Sequence, residues 1–89
     1  MSSWTFLSHH AQVFLCIARD PDARLREIAS AVGITERAVQ AIVNDLVHEG
    51  YVERTRVGRR NHYSVNTTVP LRPQLQHDLD AGALLRLMG

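Results

Sequence analysis

The 89-residue chain has no lysine, one cysteine, three prolines and five glycines, and its longest apolar run covers only residues 13–18. A single cysteine cannot close an internal disulfide, which argues against a disulfide-bonded secreted scaffold and fits a reducing cytoplasm. An apolar run this short cannot span a bilayer, and no basic residue precedes it, so we expect neither a membrane segment nor a secretory signal. The low proline and glycine content argues against a disordered or fibrous chain.

Motifs for catalysis and for metal binding are also missing. The sequence has no Ser–His–Asp pattern, phosphate loop or zinc-hydrolase motif. Asp78 and Asp80 lie two positions apart on a predicted helix, so their carboxylates cannot face each other. His9 and His10 are adjacent and point to different sides of a helix, and Cys16 lies among apolar residues, as a core cysteine does. We therefore predict no enzyme, no cofactor and no metal site, with metal or thiol sensing as the less favoured alternative.

Size and charge indicate one small domain, residues 1–89, with basic charge in one place. The apolar content of 45% suffices for a small core, and the formal net charge is only +1. Residues 50–65 hold four arginines against Glu53, a local sum of +3, whereas residues 1–23 and 24–49 each sum to −1. All ten basic residues are arginine. A GC-rich genome is the simplest explanation, but each guanidinium is in any case a planar fork suited to phosphate and guanine edges.

Apolar residues at helical spacing predict three helices in the first half of the chain. The first covers residues 9–19, begins after a Ser8 cap and is stopped by Pro21. The second covers residues 26–32 and ends at Gly33, where a positive φ is needed. The third begins after a Thr35 cap and runs to Glu49. Its expected core face consists of Val39, Ile42, Val43 and Leu46, and its opposite face carries Arg37, Gln40, Ala41, Asn44 and His48.

The second half of the chain predicts a β-hairpin and a last helix. Alternating residues at 51–55 and 62–65 are typical of strands, and we expect a connecting loop longer than two residues. A connector at residues 66–73 leads to a helix at residues 74–88. Its apolar stripe consists of Leu75, Leu79, Ala83 and Leu87, although Gly82 weakens the helical pattern. The fold class is therefore α+β and mainly helical.

Residues 25–39 resemble the helix-turn-helix segments of compact bacterial regulators of the MarR and ArsR type. The features that carry the resemblance are Ala29, Gly33, Ile34, Thr35 and Val39, continued by Leu46, the segment 49–52 and the tip at 56–61. The resemblance covers residues 8–65 and implies a winged helix-turn-helix core with a two-stranded wing. It also implies that the C-terminal helix, residues 74–88, serves dimerisation. The chain departs from the common pattern at the start of the second helix, where Arg24, Leu25 and Arg26 replace the usual serine or threonine cap.

This arrangement predicts a cytoplasmic transcriptional regulator that binds double-stranded DNA sequence-specifically. The recognition helix, residues 35–49, would enter the major groove, and the wing, residues 55–62, would contact phosphate or a narrow minor groove. Arg37 can fork onto guanine, Gln40 and Asn44 can pair with adenine, and Ala41 can touch a thymine methyl. The full set of predicted DNA-contacting residues is Arg26, Thr35, Glu36, Arg37, Gln40, Ala41, Asn44, Arg56, Arg59, Arg60 and Asn61.

Similar regulators dimerise through their terminal helices, so we expect a homodimer on a pseudo-palindromic site. The alternative for the last helix is to fold back on the first. The main rival function is a winged helix that serves protein–protein interaction without binding DNA, because fold does not fix function. The sequence does not identify an effector.

Overall fold

The computed structural model describes residues 7–69 and 81–88. Its elements are α1 (His9–Arg19), α2 (Leu25–Val32), α3 (Glu36–His48), β1 (Val52–Val57), β2 (Arg60–Val65) and α4 (Ala81–Met88). Three helices followed by an antiparallel two-stranded hairpin form a winged helix-turn-helix fold. The predicted fold class, α+β and mainly helical, is confirmed.

Hydroxyl side chains begin two of the helices as predicted. Ser8 Oγ accepts a hydrogen bond from the Ala11 N–H at 3.2 Å, and α1 has the predicted bounds. Thr35 Oγ1 accepts from the Ala38 N–H at 3.0 Å at the start of α3. Each bond satisfies one of the backbone donors that a helix N-terminus leaves without an intrahelical acceptor. Helix α3 ends at His48, one residue before the predicted end.

Helix α2 begins at Leu25, one residue before its predicted start. It has no hydroxyl side chain at its N-cap, and an acidic side chain from its first turn caps the backbone there instead. The Glu27 carboxylate reaches back to the Arg24 N–H at 2.8 Å. This is the acidic half of a capping box. The Arg24 guanidinium cannot complete the box because it carries no hydrogen-bond acceptor.

The helix-turn-helix turn lies at Gly33, whose φ of 85° is in the left-handed region. Glycine adopts this conformation without steric cost, so α2 can stop and the chain can turn toward α3. The helices bury one continuous core with residues of the hairpin and of α4. Its members are Val13, Phe14, Ile17, Ile28, Ala29, Val39, Ile42, Val43, Leu46, Val52, Tyr63 and Ala81. The predicted core face of α3 is confirmed.

The hairpin is tighter than predicted, because its loop has two residues and not more. Val57 pairs with Arg60 as the last rung of the ladder, which leaves only Gly58 and Arg59 in the turn. Gly58 has a φ of 62°, and no non-glycine among the described residues has a positive φ. A glycine at the first central position followed by a residue of negative φ is the pattern of a type II′ turn. The positive φ that Gly58 supplies lets both strands continue to the tip.

Strand β2 also attaches the hairpin to the helices. The Tyr63 N–H donates to the Pro21 carbonyl at 2.9 Å, and the Tyr63 side chain is buried. At the base of β1, the Tyr51 ring makes an edge-to-face contact with Phe14 at a centroid distance of 6.3 Å. The wing is therefore joined to the body at its base, while its tip remains exposed.

The described part of the last helix, α4, packs close to the turn that follows β2. The Ala81 N–H donates to the Val69 carbonyl and the Gly82 N–H donates to the Thr67 carbonyl. A Cβ atom at Gly82 would lie 3.1 Å from Thr67 Cβ, so glycine permits this approach. Residues 74–80, and with them Leu75 and Leu79 of the predicted stripe, lie outside the described residues, as do the side chains of Ala83 and Leu87. In the described ranges no helix has the length and apolarity to cross a membrane.

Candidate nucleic-acid interface

Helix α3 has one buried and one exposed face, as its sequence predicts. Arg37, Ala41, Asn44 and His48 are exposed, and Gln40 is partly exposed. The buried side of the helix is fixed in the core, so the exposed side has a defined orientation. This polar face offers guanidinium, amide and methyl groups on one edge of a single helix, and these groups match the donors, acceptors and methyl groups of the major groove.

A hydrogen-bond chain joins the C-terminal half of this face to the hairpin. Asn44 Oδ1 accepts from Gln40 Nε2 at 3.1 Å and from Arg54 Nη1 at 3.4 Å. In this arrangement the Asn44 NH₂ group is free to donate, while its oxygen already accepts two hydrogen bonds. A two-bond contact with adenine needs that oxygen as an acceptor, so it first requires that one of these bonds break. Arg54 is absent from the predicted contacts. The only feature of the sequence that points to Arg54 is that it is one of the four arginines in residues 50–65.

The tip of the hairpin carries the predicted wing residues. Arg56 and Arg59 are exposed, and Arg56 Nε donates to the Gly58 carbonyl at 3.3 Å. Asn61 is partly exposed. Arg60 is also exposed, but its Nη2 donates to the Asp22 carbonyl at 3.0 Å. Arg60 is thus attached to the segment between α1 and α2, and part of its guanidinium is already engaged.

Asp22 contacts strand β2 a second time through its side chain. His62 Nδ1 lies 2.8 Å from Asp22 Oδ1. Another histidine–aspartate pair joins α1 to α3, with His10 Nε2 2.8 Å from Asp45 Oδ2. The partners are 40 and 35 positions apart, so no local pattern indicates either pair.

The other predicted contact residues lie at the starts of the two motif helices. Arg26 is exposed on α2, and Thr35 and Glu36 are exposed at the beginning of α3. Within the described ranges, a side-chain hydrogen bond connects Gln40 with Asn44, while no side-chain hydrogen bond joins Arg26, Glu36, Arg37 or Arg59 to another predicted contact residue. Most of the predicted set therefore lies in two groups, one at α3 and one at the wing tip, and Arg26 lies apart from both on α2.

Metal-ligating groups do not gather around this interface. In residues 7–69 and 81–88, no three histidine, cysteine or acidic side chains lie close enough to hold a metal ion. Cys16 is half-buried and packs beside the core. Burial raises the pKa of the Cys16 thiol above its ordinary value, and the charge of Arg19 opposes part of that rise. The neutral thiol is therefore favoured, which is unfavourable for a nucleophile or a metal ligand.

Comparison with solved structures finds the same fold in other proteins. The chain is similar to FabT from Streptococcus pneumoniae, solved in complex with DNA, with a TM-score of 0.65 and 20% sequence identity over 98% of this chain and 55% of that one. It is also similar to AdcR, a zinc-dependent MarR family transcriptional regulator solved with Zn(II), with a TM-score of 0.52 and 20% identity over 74% of this chain and 47% of that one. The chain thus spans about half the length of these proteins. At this level of identity the likeness shows the fold.

Sequence comparison shows the family. No curated protein matches the chain. The MarR family model matches residues 5–60, which includes α1, α2, α3, β1 and the hairpin turn. This match spans more than half of the 89 residues, and the structural neighbours have the same winged fold. The chain belongs to the MarR family.

Proposed function

We propose that this chain is a transcriptional regulator that binds double-stranded DNA sequence-specifically. The observation that carries the proposal is the division of α3 into a buried apolar face and an exposed polar face, in a molecule that also has an arginine-bearing hairpin. A single α-helix fits the major groove, and a basic hairpin beside it can follow the adjacent phosphates. Membership of the MarR family, and the neighbour solved in complex with DNA, support the same function.

Each group of residues has a proposed task. Arg37, in the first turn of α3, reads guanine, and Ala41 contacts a thymine methyl. Gln40 and Asn44 contact adenine once the bond from Arg54 is released. Thr35 and Arg26 contact phosphate, and Glu36 points aside or accepts from cytosine. In the wing, Arg56, Arg59, Arg60 and Asn61 contact phosphate or a narrow minor groove.

The proposed active form is a homodimer in the bacterial cytoplasm, where its DNA target lies. Residues 8–65 form the DNA-binding core of one domain, and the terminal helices join the two subunits. An apolar cavity of about 510 Å³ supports this arrangement, since α1, α2 and α4 line it with Leu15, Val32 and Leu85. A second subunit that covered this region would remove apolar surface from water. Two-fold symmetry then predicts two half-sites about one helical turn apart.

Selection from a random duplex library tests sequence-specific binding directly. We expect the selected sites to be pseudo-palindromic. Arg37→Ala should relax the preference at one base pair of each half-site and cost about 1–3 kcal/mol there, while preference at the other positions stays. Ser64→Ala, which changes an exposed residue of β2 outside both the predicted contacts and the apolar cavity, is the control and should leave every position of the selected site unchanged.

The salt dependence of binding to random duplex tests the wing. Replacing Arg59 and Arg60 together by alanine should reduce the logarithmic slope by about two, because two positive charges beside the DNA backbone are lost. The rival function, a winged helix that binds only proteins, predicts that neither the native chain nor the variant binds duplex DNA even at low salt. That result would remove the proposal.

A further inference from the structure

A cavity of about 300 Å³ lies where the segment before α2 meets the hairpin. Arginines from both sides line it, Arg24 from the segment before α2 and Arg59 and Arg60 from the hairpin tip. Asn61 and Asp22 also line it. The cavity therefore has arginines on two sides, and Arg24 is 35 positions away from Arg59 in the chain.

Two contacts to Asp22 hold the two sides of this cavity together, and they leave arginine N–H donors free to bind a ligand. Arg60 Nη2 donates to the Asp22 carbonyl, and His62 Nδ1 contacts the Asp22 carboxylate. These two contacts fix the hairpin against the segment before α2. A guanidinium has five N–H donors, so one bond to Asp22 positions Arg60 without exhausting it. The side chains of Arg24 and Arg59 have no hydrogen-bond partner among the described residues.

The charge balance of the cavity favours an anion. Three arginines line it, and Asp22 is the one acidic residue among its described lining residues. The Asp22 carboxylate is already engaged by His62, and the nearby Glu27 carboxylate caps the Arg24 backbone N–H. Like charges around one cavity repel one another, and an anion between them would offset that repulsion. Arginine forks match the tetrahedral oxygens of a phosphate, with two bonds from each fork.

We propose that this cavity holds one backbone phosphate of duplex DNA, bound by Arg24 and Arg59 with Arg60 positioned beside them. The proposal rests on the proposed function and deepens it in two ways. It adds Arg24, which is not among the predicted contacts, and it assigns Arg60 to phosphate and not to the minor groove. The segment before α2 and the wing then contact the same phosphate, which fixes the angle at which the domain lies on the duplex.

Inorganic phosphate tests the cavity without DNA. It is titrated into the full chain against sodium chloride of equal ionic strength, and amide ¹H–¹⁵N shifts are followed by NMR. We expect saturating shifts concentrated at residues 22–25 and 59–61, and their loss in Arg24→Ala. The Arg24 side chain makes no hydrogen bond within the described residues, so this variant should keep the native circular dichroism spectrum. Shifts that are spread over the surface, or unchanged in Arg24→Ala, overturn the proposal.

Random duplex DNA tests the source of the phosphate. Arg24→Ala should lower the logarithmic salt slope by about one and weaken binding to all sequences equally. Arg24→Lys keeps the charge and loses the fork, so it should retain the slope while binding more weakly. Ser64→Ala is again the control with an unchanged slope.

The two experiments separate failure of this proposal from failure of the proposed function. A native chain that binds duplex while Arg24→Ala keeps the native slope contradicts the phosphate site alone. The other outcome is that inorganic phosphate shifts the amide signals at the cavity while the chain does not bind duplex DNA even at low salt. That result contradicts the proposed function. It also overturns the assignment of the cavity to DNA and indicates a free phosphate ligand instead.

Discussion

Single buried side chains carry much of the stability of a chain this small. Ile17 is fully buried in the core, whereas Val57 on the hairpin is 62% exposed. Ile17→Ala should lower the free energy of unfolding by about 2–5 kcal/mol, and Ile17→Val by about 0.5–1.5 kcal/mol, because each deletion leaves a cavity of different size. Val57→Ala should change it by less than about 0.5 kcal/mol. Urea denaturation measures all three, and equal losses at Ile17 and Val57 would contradict the described core.

The Cys16 thiol gives a pH dependence whose sign follows from its burial. Burial raises its pKa in the folded state above the ordinary value of 9.0. The unfolded chain therefore loses this proton first, so the thiol's contribution to stability is complete below about pH 9 and is lost as pH rises through the folded pKa. The native chain should lose more stability than Cys16→Ala between pH 8 and pH 10 in urea titrations. Parallel curves for the two proteins would show that the thiol does not titrate differently on folding.

Contacts between distant residues mark the limit of prediction from this sequence. The caps at Ser8 and Thr35 and the turn at Gly33 follow from residue types at local spacing, and the structure has all three. The contact of Asn44 with Arg54 and the contact of Asp22 with His62 span 10 and 40 positions. No local spacing rule connects such residues, because only the folded hairpin brings them together. The α3 side of the interface was therefore predictable from sequence, and the partners of the wing were not.

At the scale of the element, the N-terminus of α3 depends on one hydroxyl. Thr35→Ala removes the acceptor for the Ala38 N–H and should cost about 1 kcal/mol, within a range of about 0.5–2 kcal/mol. Thr35→Ser keeps the oxygen and should cost much less. Urea denaturation of the two variants measures the difference.

The same pair of variants shows whether the cap affects DNA binding. The first turn of α3 carries Arg37, so fraying of that turn should weaken binding to a selected site in Thr35→Ala more than in Thr35→Ser. Equal stability of the two variants would contradict the capping bond. Equal affinity would show that the first turn keeps its geometry without the cap.

The predicted and observed element boundaries differ where the sequence pattern was ambiguous. The hairpin was predicted with a long loop because glycine, arginine and asparagine cluster at residues 58–61. In the structure the positive φ of Gly58 closes the turn in two residues, and Arg60 and Asn61 belong to β2. Gly82 reads in the sequence as a weak point of a helix, but it is the position where α4 passes closest to Thr67. In both places a glycine marks close backbone geometry that composition alone does not show.

At the scale of the whole molecule, apolar contacts and basic groups lie in different regions. The core joins α1, α2 and α3 to the base of the hairpin, while the arginine-lined cavity lies between the hairpin tip and the segment before α2. The apolar cavity lies on another part of the helices, between α1, α2 and α4. One region therefore offers charge for a polyanion, and the other offers apolar surface for a protein. A regulator that binds DNA as a dimer needs both.

The predicted dimer depends most on the separation of the apolar cavity from the arginine-lined cavity. We expect the full chain to sediment at twice its 10.0 kDa mass, with a melting temperature that rises with protein concentration. Leu15 is half-buried on α1 and lines the apolar cavity, so Leu15→Glu should place a charge in the interface and shift the chain toward monomer. Ser64→Glu, on exposed β2 outside that cavity, is the matched control and should remain dimeric.

DNA selection then connects the interface to function. Because each subunit carries its own α3 and wing, monomeric Leu15→Glu should still prefer the half-site sequence, and it should lose the fixed spacing between half-sites. A native chain that sediments as a monomer at micromolar concentration and selects single, asymmetric sites would contradict the dimer and leave the α3 face intact. Loss of half-site preference in a folded Leu15→Glu variant would instead mean that the apolar region and the DNA-binding face are coupled within one subunit.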